Sequence, residues 1–167
     1  NEAYEHRPSD SSGGACMGYQ YGPEYVWFLF NRLHDCTYGI QVVSDDGGTG
    51  KNVYLIGNVI YRIHGAGAAT DPYNPSAIHL RGGTNRYLVG NTIYDADVGI
   101  TSPVSDGFMY IVDNLITAPT KSQGSHVFLE SLGLATASTL HHNLFAGGAK
   151  IRWGGSFFQS LSQFNAG

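Results

Sequence analysis

The sequence is poor in charge. Asp, Glu, Lys and Arg make up 13% of its 167 residues, about half the share usual in soluble domains. There is no basic excess: 9 Lys and Arg against 13 Asp and Glu leave a net charge of −4. A nucleic-acid partner, which calls for a basic stripe, is therefore not expected. Long apolar runs are missing too. The strongest, Tyr25-Val26-Trp27-Phe28-Leu29-Phe30, is strand-length and far short of the roughly 20 residues of a membrane span, so no span is expected. No stretch keeps an apolar period of 3.6, so helices should be short or absent. The 2 cysteines, Cys16 and Cys36, read as buried thiols, with a disulfide in an exported protein as the alternative. No initiator methionine or signal peptide opens the chain at Asn1, as after processing or fragmentation.

What is present is apolar and repetitive. Apolar residues reach 42%, with 23 glycines and 11 tyrosines, which excludes a disordered or collagenous chain. Aligned on one asparagine, five segments fall into register. They are Trp27-Phe28-Leu29-Phe30-Asn31-Arg32-Leu33, Tyr54-Leu55-Ile56-Gly57-Asn58-Val59-Ile60 and Tyr87-Leu88-Val89-Gly90-Asn91-Thr92-Ile93. Tyr110-Ile111-Val112-Asp113-Asn114-Leu115-Ile116 and Thr139-Leu140-His141-His142-Asn143-Leu144-Phe145 complete the set. The asparagines lie 27, 33, 23 and 29 residues apart. A weaker sixth match is Leu161-Ser162-Gln163-Phe164-Asn165.

A second motif follows each asparagine: Gly39-Ile40-Gln41-Val42, Ala77-Ile78-His79-Leu80, Gly99-Ile100-Thr101-Ser102, His126-Val127-Phe128-Leu129 and Lys150-Ile151-Arg152-Trp153. Ala15-Cys16-Met17-Gly18 reads as an earlier copy. Each alternates apolar with outward residues, the period of a half-buried strand. One unit thus holds a strand, a sharp turn at asparagine, a second strand, a loop and a third strand. Such a unit cannot bury its apolar face alone, whereas stacked units can. Asparagine suits the corner because it tolerates positive φ. At a stacking distance of ~4.8 Å its amides would bond along the stack as a ladder.

Asn-x-Ile, a short gap and Gly-Ile-x-Val, cleanest in Asn91-Thr92-Ile93 to Gly99-Ile100, resembles the parallel β-helix repeat of the pectin-lyase-like superfamily. The resemblance covers roughly residues 15–165. It implies an all-β, right-handed, single-stranded parallel β-helix (a solenoid) of about five to six coils, truncated at both ends. Residues 15–167 would form that domain, and 1–14 an N-terminal arm or the remnant of a preceding coil. It also implies an extracellular setting, and end-to-end association with missing coils or other subunits. Family members include lyases, hydrolases, epimerases, phage spikes and adhesins, so fold alone does not give activity.

In the resembling enzymes, sugars lie along the outside of the sheet that corresponds here to the Gly-Ile-x-Val strands. Its outward positions are Gln41, His79, Thr101, Phe128 and Arg152, flanked by Arg81, Glu130, His126 and Lys150. Cations there would neutralise the carboxylate of an acidic polysaccharide, and a base would take the proton beside it. Arg81, His79 and Lys150 are the catalytic candidates. Gln41, Thr101, His126, Phe128, Glu130 and Arg152 are the substrate-binding candidates. Asp45, Asp46 and Asp106 follow the strands on the same rim, where Ca²⁺ is the cofactor to expect. A lyase-like or epimerase-like protein is the first reading. A non-catalytic structural, adhesive or glycan-binding module is the second.

The hydrolase reading is poorer. Asp45-Asp46 is the one adjacent acid pair, and Asp-Asp-Gly-Gly is more often a turn. The polygalacturonase set of Asn-Thr-Asp, Asp-Asp, Gly-His-Gly and Arg-Ile-Lys is missing, as is the Trp-Ile-Asp-His of pectate lyases. Val26-Trp27-Phe28-Leu29 takes a similar place without the acid. Trp27, Phe28 and Phe30 read mostly as core, and His34 and His64 as loop residues. Of His141 and His142, one should pack and the other face solvent. Gly47-Gly48-Thr49-Gly50-Lys51 lacks the full phosphate-loop pattern, so nucleotide binding is not expected.

Overall fold

The computed structural model describes residues 1–7, 14–43, 50–65 and 74–166. Strands β1 (Glu2–Tyr4) and β2 (Ala15–Tyr19) come first. Three-strand sets follow: β3 (Val26–Leu29), β4 (Arg32–His34), β5 (Tyr38–Val43); then β6 (Val53–Ile56), β7 (Val59–Ile63), β8 (Ile78–Arg81). The next are β9 (Asn85–Val89), β10 (Thr92–Ala96), β11 (Ile100–Ser102) and β12 (Phe108–Val112), β13 (Leu115–Ile116), β14 (Val127–Leu129). Helix α1 (Leu132–Ala137) precedes β15 (Thr139–His141), β16 (Leu144–Phe145), β17 (Ile151–Trp153), β18 (Ser156–Phe158) and α2 (Leu161–Ala166).

The strands make three parallel sheets. Sheet I, from the strands before each asparagine, has the order β15-β12-β9-β6-β3. Sheet II, from those after it, runs β1-β4-β7-β10-β13-β16. Sheet III runs β18-β17-β14-β11-β8-β5-β2, and within it only β17–β18 is antiparallel. The chain visits I, II and III in turn, so sheet neighbours come from successive repeats.

Register stacks like on like. Sheet I carries the row Phe28, Leu55, Leu88, Ile111, Leu140. Sheet II carries Leu33, Ile60, Ile93, Ile116, Phe145. Sheet III carries Ile40, Ile78, Ile100, Val127, Ile151. All three rows feed one apolar core. Each buried aliphatic side chain contributes about 1.5–3 kcal/mol, so these rows dominate what holds the sheets together.

The asparagines form a continuous ladder. Nδ2 donates to the next Oδ1 at 2.9 Å in each step from Asn31 through Asn58, Asn91 and Asn114 to Asn143. Each of those four acceptor oxygens also takes a backbone N–H of the preceding rung. Asn1 adds a rung ahead of Asn31 at 3.3 Å. The corner differs from the sequence expectation in one respect. Positive φ falls not on the asparagine but on the residue before it: Phe30 (52°), Gly57 (64°), Gly90 (64°), Asp113 (57°) and His142 (54°). The asparagine has to hold both its N–H and its amide in the ladder. The left-handed bend is therefore made one residue earlier, where the side chain is free of that duty.

Four further expectations are corrected. Residues 161–165 are not a strand but lie in α2. Ser160 Oγ accepts from Gln163 N at 3.2 Å, and Gln163 Oε1 accepts from Gln159 N at 2.8 Å, a capping arrangement that starts a helix. Phe164 then packs edge-on against Trp153 and Phe158. Cys16 and Cys36 form a disulfide rather than two separate thiols. Of the three aromatics around β3, Phe28 alone is core, while Trp27 and Phe30 are 56% and 72% exposed. His34 is the last residue of β4, not a loop residue.

Outward aromatics form two columns. Tyr25, Trp27, Tyr54 and Tyr87 stack along sheet I, and Tyr4, His34, Tyr61 and Tyr94 along sheet II. Within a column the ring faces are used on one another, leaving mainly edges to solvent.

Candidate functional site

The outward column of sheet III is in register: Gln41, His79, Thr101, Phe128 and Arg152 are successive partners. Its middle is closed. His79, Thr101 and Phe128 are buried. His79 Nδ1 lies 2.8 Å from the Thr101 hydroxyl, which is 3.0 Å from that of Ser76. The Tyr38 ring packs against His79, and its hydroxyl donates to Asn74 Oδ1 at 2.7 Å. Lys121 Nζ donates to the Asn74 carbonyl.

His126 is fully buried as well. Its Nδ1 accepts from Lys150 N at 3.0 Å and its Nε2 donates to the Ala146 carbonyl at 3.3 Å, which fixes the neutral tautomer. Burial pushes the imidazole below its ordinary value, against the opposing pull of those backbone bonds. A depressed folded value makes its contribution fully present above about pH 6.5 and lost as pH falls through the folded value. The urea midpoint should therefore decline as pH falls below about 6.5, and His126→Gln should flatten that slope. Equal slopes for parent and variant would rule His126 out as the cause.

At the β17 end, the Arg152 guanidinium sits 5.6 Å from the Phe128 ring centre and 4.7 Å from that of Phe157, a cation held over aromatic faces. Lys150 is half-buried, with Nζ 3.5 Å from the Ser122 carbonyl. Arg81 and Glu130 reach solvent. Asp106 is exposed, and its carboxylate is 3.9 Å from the Arg86 guanidinium. Asp45 and Asp46 lie outside the described residues. Among the described residues no group of three His, Cys, Asp or Glu is placed to hold a metal ion. None of their helices is long and apolar enough to cross a membrane.

At the β2 end the same face opens. A cleft of about 390 Å³ is lined by His6, Ala15, Gly18, Tyr19, Gln20, Tyr21, Gln41 and Val43, within the usual size range of small-molecule sites. Gly18 makes it possible. It pairs with Gln41, and a Cβ on it would stand 2.1 Å from the Gln41 carbonyl oxygen. β2 can therefore lie close on β5, with no side chain at position 18 to stand over Gln41. His6 Nδ1 donates to the Ala15 carbonyl at 2.9 Å, which leaves Nε2 as an acceptor. The amides of Gln20 and Gln41 offer paired donors and acceptors. Tyr21, 64% exposed, stands outside both aromatic columns. Val43 pairs with Arg81, so a cation flanks the cleft.

Of the sequence candidates, then, Gln41 lines this cleft and Arg81 is in register with Val43 of its lining, while Arg152 and Lys150 lie at the far end of the face. His79, Thr101, His126 and Phe128 lie between, inside. His6, Gln20 and Tyr21 were not candidates, because they flank the first strand of sheet III and carry no repeat signal.

A second polar group, also missed, lines the outer corner of sheet II. His34 lies 2.6 Å from Asp35 and 3.0 Å from Glu2. The Arg62 guanidinium and then His34 hold the Asp35 carboxyl well below the usual carboxylate range. His64 bridges Asp95 and Asp97 at 3.2 and 2.8 Å, and Thr120 donates to Asp97 at 2.6 Å. The row reads as an ion-pair and hydrogen-bond ladder between repeats. No protein-family model, curated protein or solved structure matches the chain.

Proposed function

We propose that this chain is a right-handed parallel β-helix of the pectin-lyase-like kind, and that it binds an acidic polysaccharide along the outward side of sheet III. One observation carries the reading. The open cleft falls on the face that the repeat pattern singles out, with Gln41 in its lining and Arg81 in register beside it. Amides suit sugar hydroxyls, an exposed tyrosine ring suits a sugar face, and a guanidinium suits a uronate carboxylate. The Cys16–Cys36 disulfide supports an oxidising, extracellular setting.

Binding without turnover is favoured over lyase-like or epimerase-like chemistry. His79 and His126 lie on the right face, but both are buried, His79 with Nδ1 engaged and His126 with both ring nitrogens engaged. The catalytic reading rests on Arg81 and Lys150, and Ca²⁺ would enter through it. The test is affinity electrophoresis and calorimetry against pectate, alginate and a neutral glucan, with and without Ca²⁺, alongside ultraviolet absorbance at the unsaturated uronate band. The expected result is binding of the acidic polymers, no rise in absorbance, and about tenfold weaker binding in Gln41→Ala or Arg81→Ala, or ~1.4 kcal/mol. A rise in absorbance that vanishes in Arg81→Ala would establish the lyase instead. No binding to any glycan would remove both readings.

A further inference from the structure

The five strands of sheet I hold a single charged residue, Arg86. It shares the inward side with Leu88 and is fully buried. The outward side of these strands therefore carries no Asp, Glu, Lys or Arg. A sheet face turned to water is ordinarily where a strand puts its polar residues. Here the aromatic column of Trp27, Tyr54 and Tyr87 continues in register to Tyr110. Beside it runs an aliphatic column of Leu29, Ile56, Val89 and Val112. Both columns are open at β3, where Tyr25, Trp27, Leu29 and, at the corner, Phe30 are exposed. The described helices pack elsewhere. Leu134 and Ala135 of α1 belong to the core, and Phe164 of α2 sits against Trp153 and Phe158.

A contiguous apolar face of this kind marks a contact surface, and its chemistry favours a second copy of the chain. The stacked rings use their faces on one another. A sugar needs a ring face, whereas ring edges and methyl groups suit apolar side chains. The chain is net acidic at −4, so contacts through charged surface tend to bring acid towards acid. A twofold contact sets a patch against itself, and on this face no like charges would meet. Size is adequate as well. From Tyr25 to Phe30 a strand spans ~20 Å and five strands span ~24 Å, or ~480 Å² per copy in plan. Two copies contribute ~960 Å² before the relief of the side chains is added, close to the ~1,000 Å² of a specific contact.

We propose that two copies of this chain pack sheet I against sheet I about a twofold axis, as a reversible dimer anchored by Trp27. The contact uses a different sheet from the cleft and does not depend on the polysaccharide reading.

The test is sedimentation equilibrium of the intact protein from micromolar to submillimolar concentration. A monomer–dimer equilibrium is expected. Trp27→Glu removes the aromatic anchor and sets two carboxylates towards one another, so it should raise the dissociation constant about 100-fold. Tyr4→Glu, at a tyrosine as exposed as Trp27 but on sheet II, should leave the dimer as it is. A second readout does not depend on the folding of Trp27→Glu. The chain has 2 tryptophans, so Trp153→Phe leaves Trp27 as the only one. Its emission should move to shorter wavelength as concentration rises, with the midpoint found by sedimentation. A monomer at every concentration, a dimer kept in folded Trp27→Glu, one lost equally in Tyr4→Glu, or one that forms without moving the Trp27 emission would overturn the proposal.

Discussion

Asn91→Ala should cost about 3–5 kcal/mol of unfolding free energy, read from urea midpoints at constant m-value. Asn91 is fully buried at the middle of the ladder. Its oxygen accepts from Asn58 N at 3.0 Å and Asn58 Nδ2 at 2.9 Å, and its own Nδ2 donates to Asn114 Oδ1 and the Leu55 carbonyl, each at 2.9 Å. Alanine strands these partners where water cannot reach them, at ~1–3 kcal/mol for each group that finds no substitute. Asn143 makes a similar set of bonds at the half-buried end of the row. There solvent can replace the lost amide, so Asn143→Ala should cost about 1–2 kcal/mol. Losses below ~1 kcal/mol at both positions would mean that the ladder fixes register without stabilising the fold.

Removing the Cys16–Cys36 bond should cost about 3 kcal/mol, the loop-closure entropy for a separation of 20 residues. The bond ties β2 at the edge of sheet III to the turn that leaves β4 in sheet II. It thereby fastens the first, half-formed repeat, whose other ties are mostly exposed. Arg32 and Glu2 pair at 3.5 Å with side chains 61% and 46% exposed, a contact worth little in water. The paired Cys16→Ala and Cys36→Ala variant should lower the urea midpoint and free residues 1–7 for early amide exchange. Thiol titration of the native protein should find no free thiol. A titrable thiol pair, or an unchanged midpoint, would refute the bond or its role.

The strand pattern was legible because it is periodic. Alternation set which side of each strand points inward, and the asparagine register set which residues share a row. The row Leu33, Ile60, Ile93, Ile116 is the alignment read directly as contacts. What was not legible depends on singular residues. The corner bend sits at Phe30, Gly57 and Asp113, which share no chemistry, so sequence pointed to the asparagine instead. The helix at 161–166 starts from the Ser160–Gln163 capping pair, a local signal that alignment on asparagine does not register. Arg86 has the same parity as Leu88, and strict alternation would have put it inside. The cleft joins His6, Gln20 and Gln41, residues from three places that no repeat connects.

Among the described residues, β17 and β18 are the one strand pair made between neighbours in sequence. Every other strand waits for its partner until the chain has travelled a whole repeat. Apart from that terminal pair, no local hairpin among the described residues is available to start folding, and the first contact between repeats has to close a loop tens of residues long. Once two repeats are seated, each later one closes a loop of the same size on a surface already formed. The slow event is paid for once, at nucleation, and growth afterwards proceeds at a nearly constant pace.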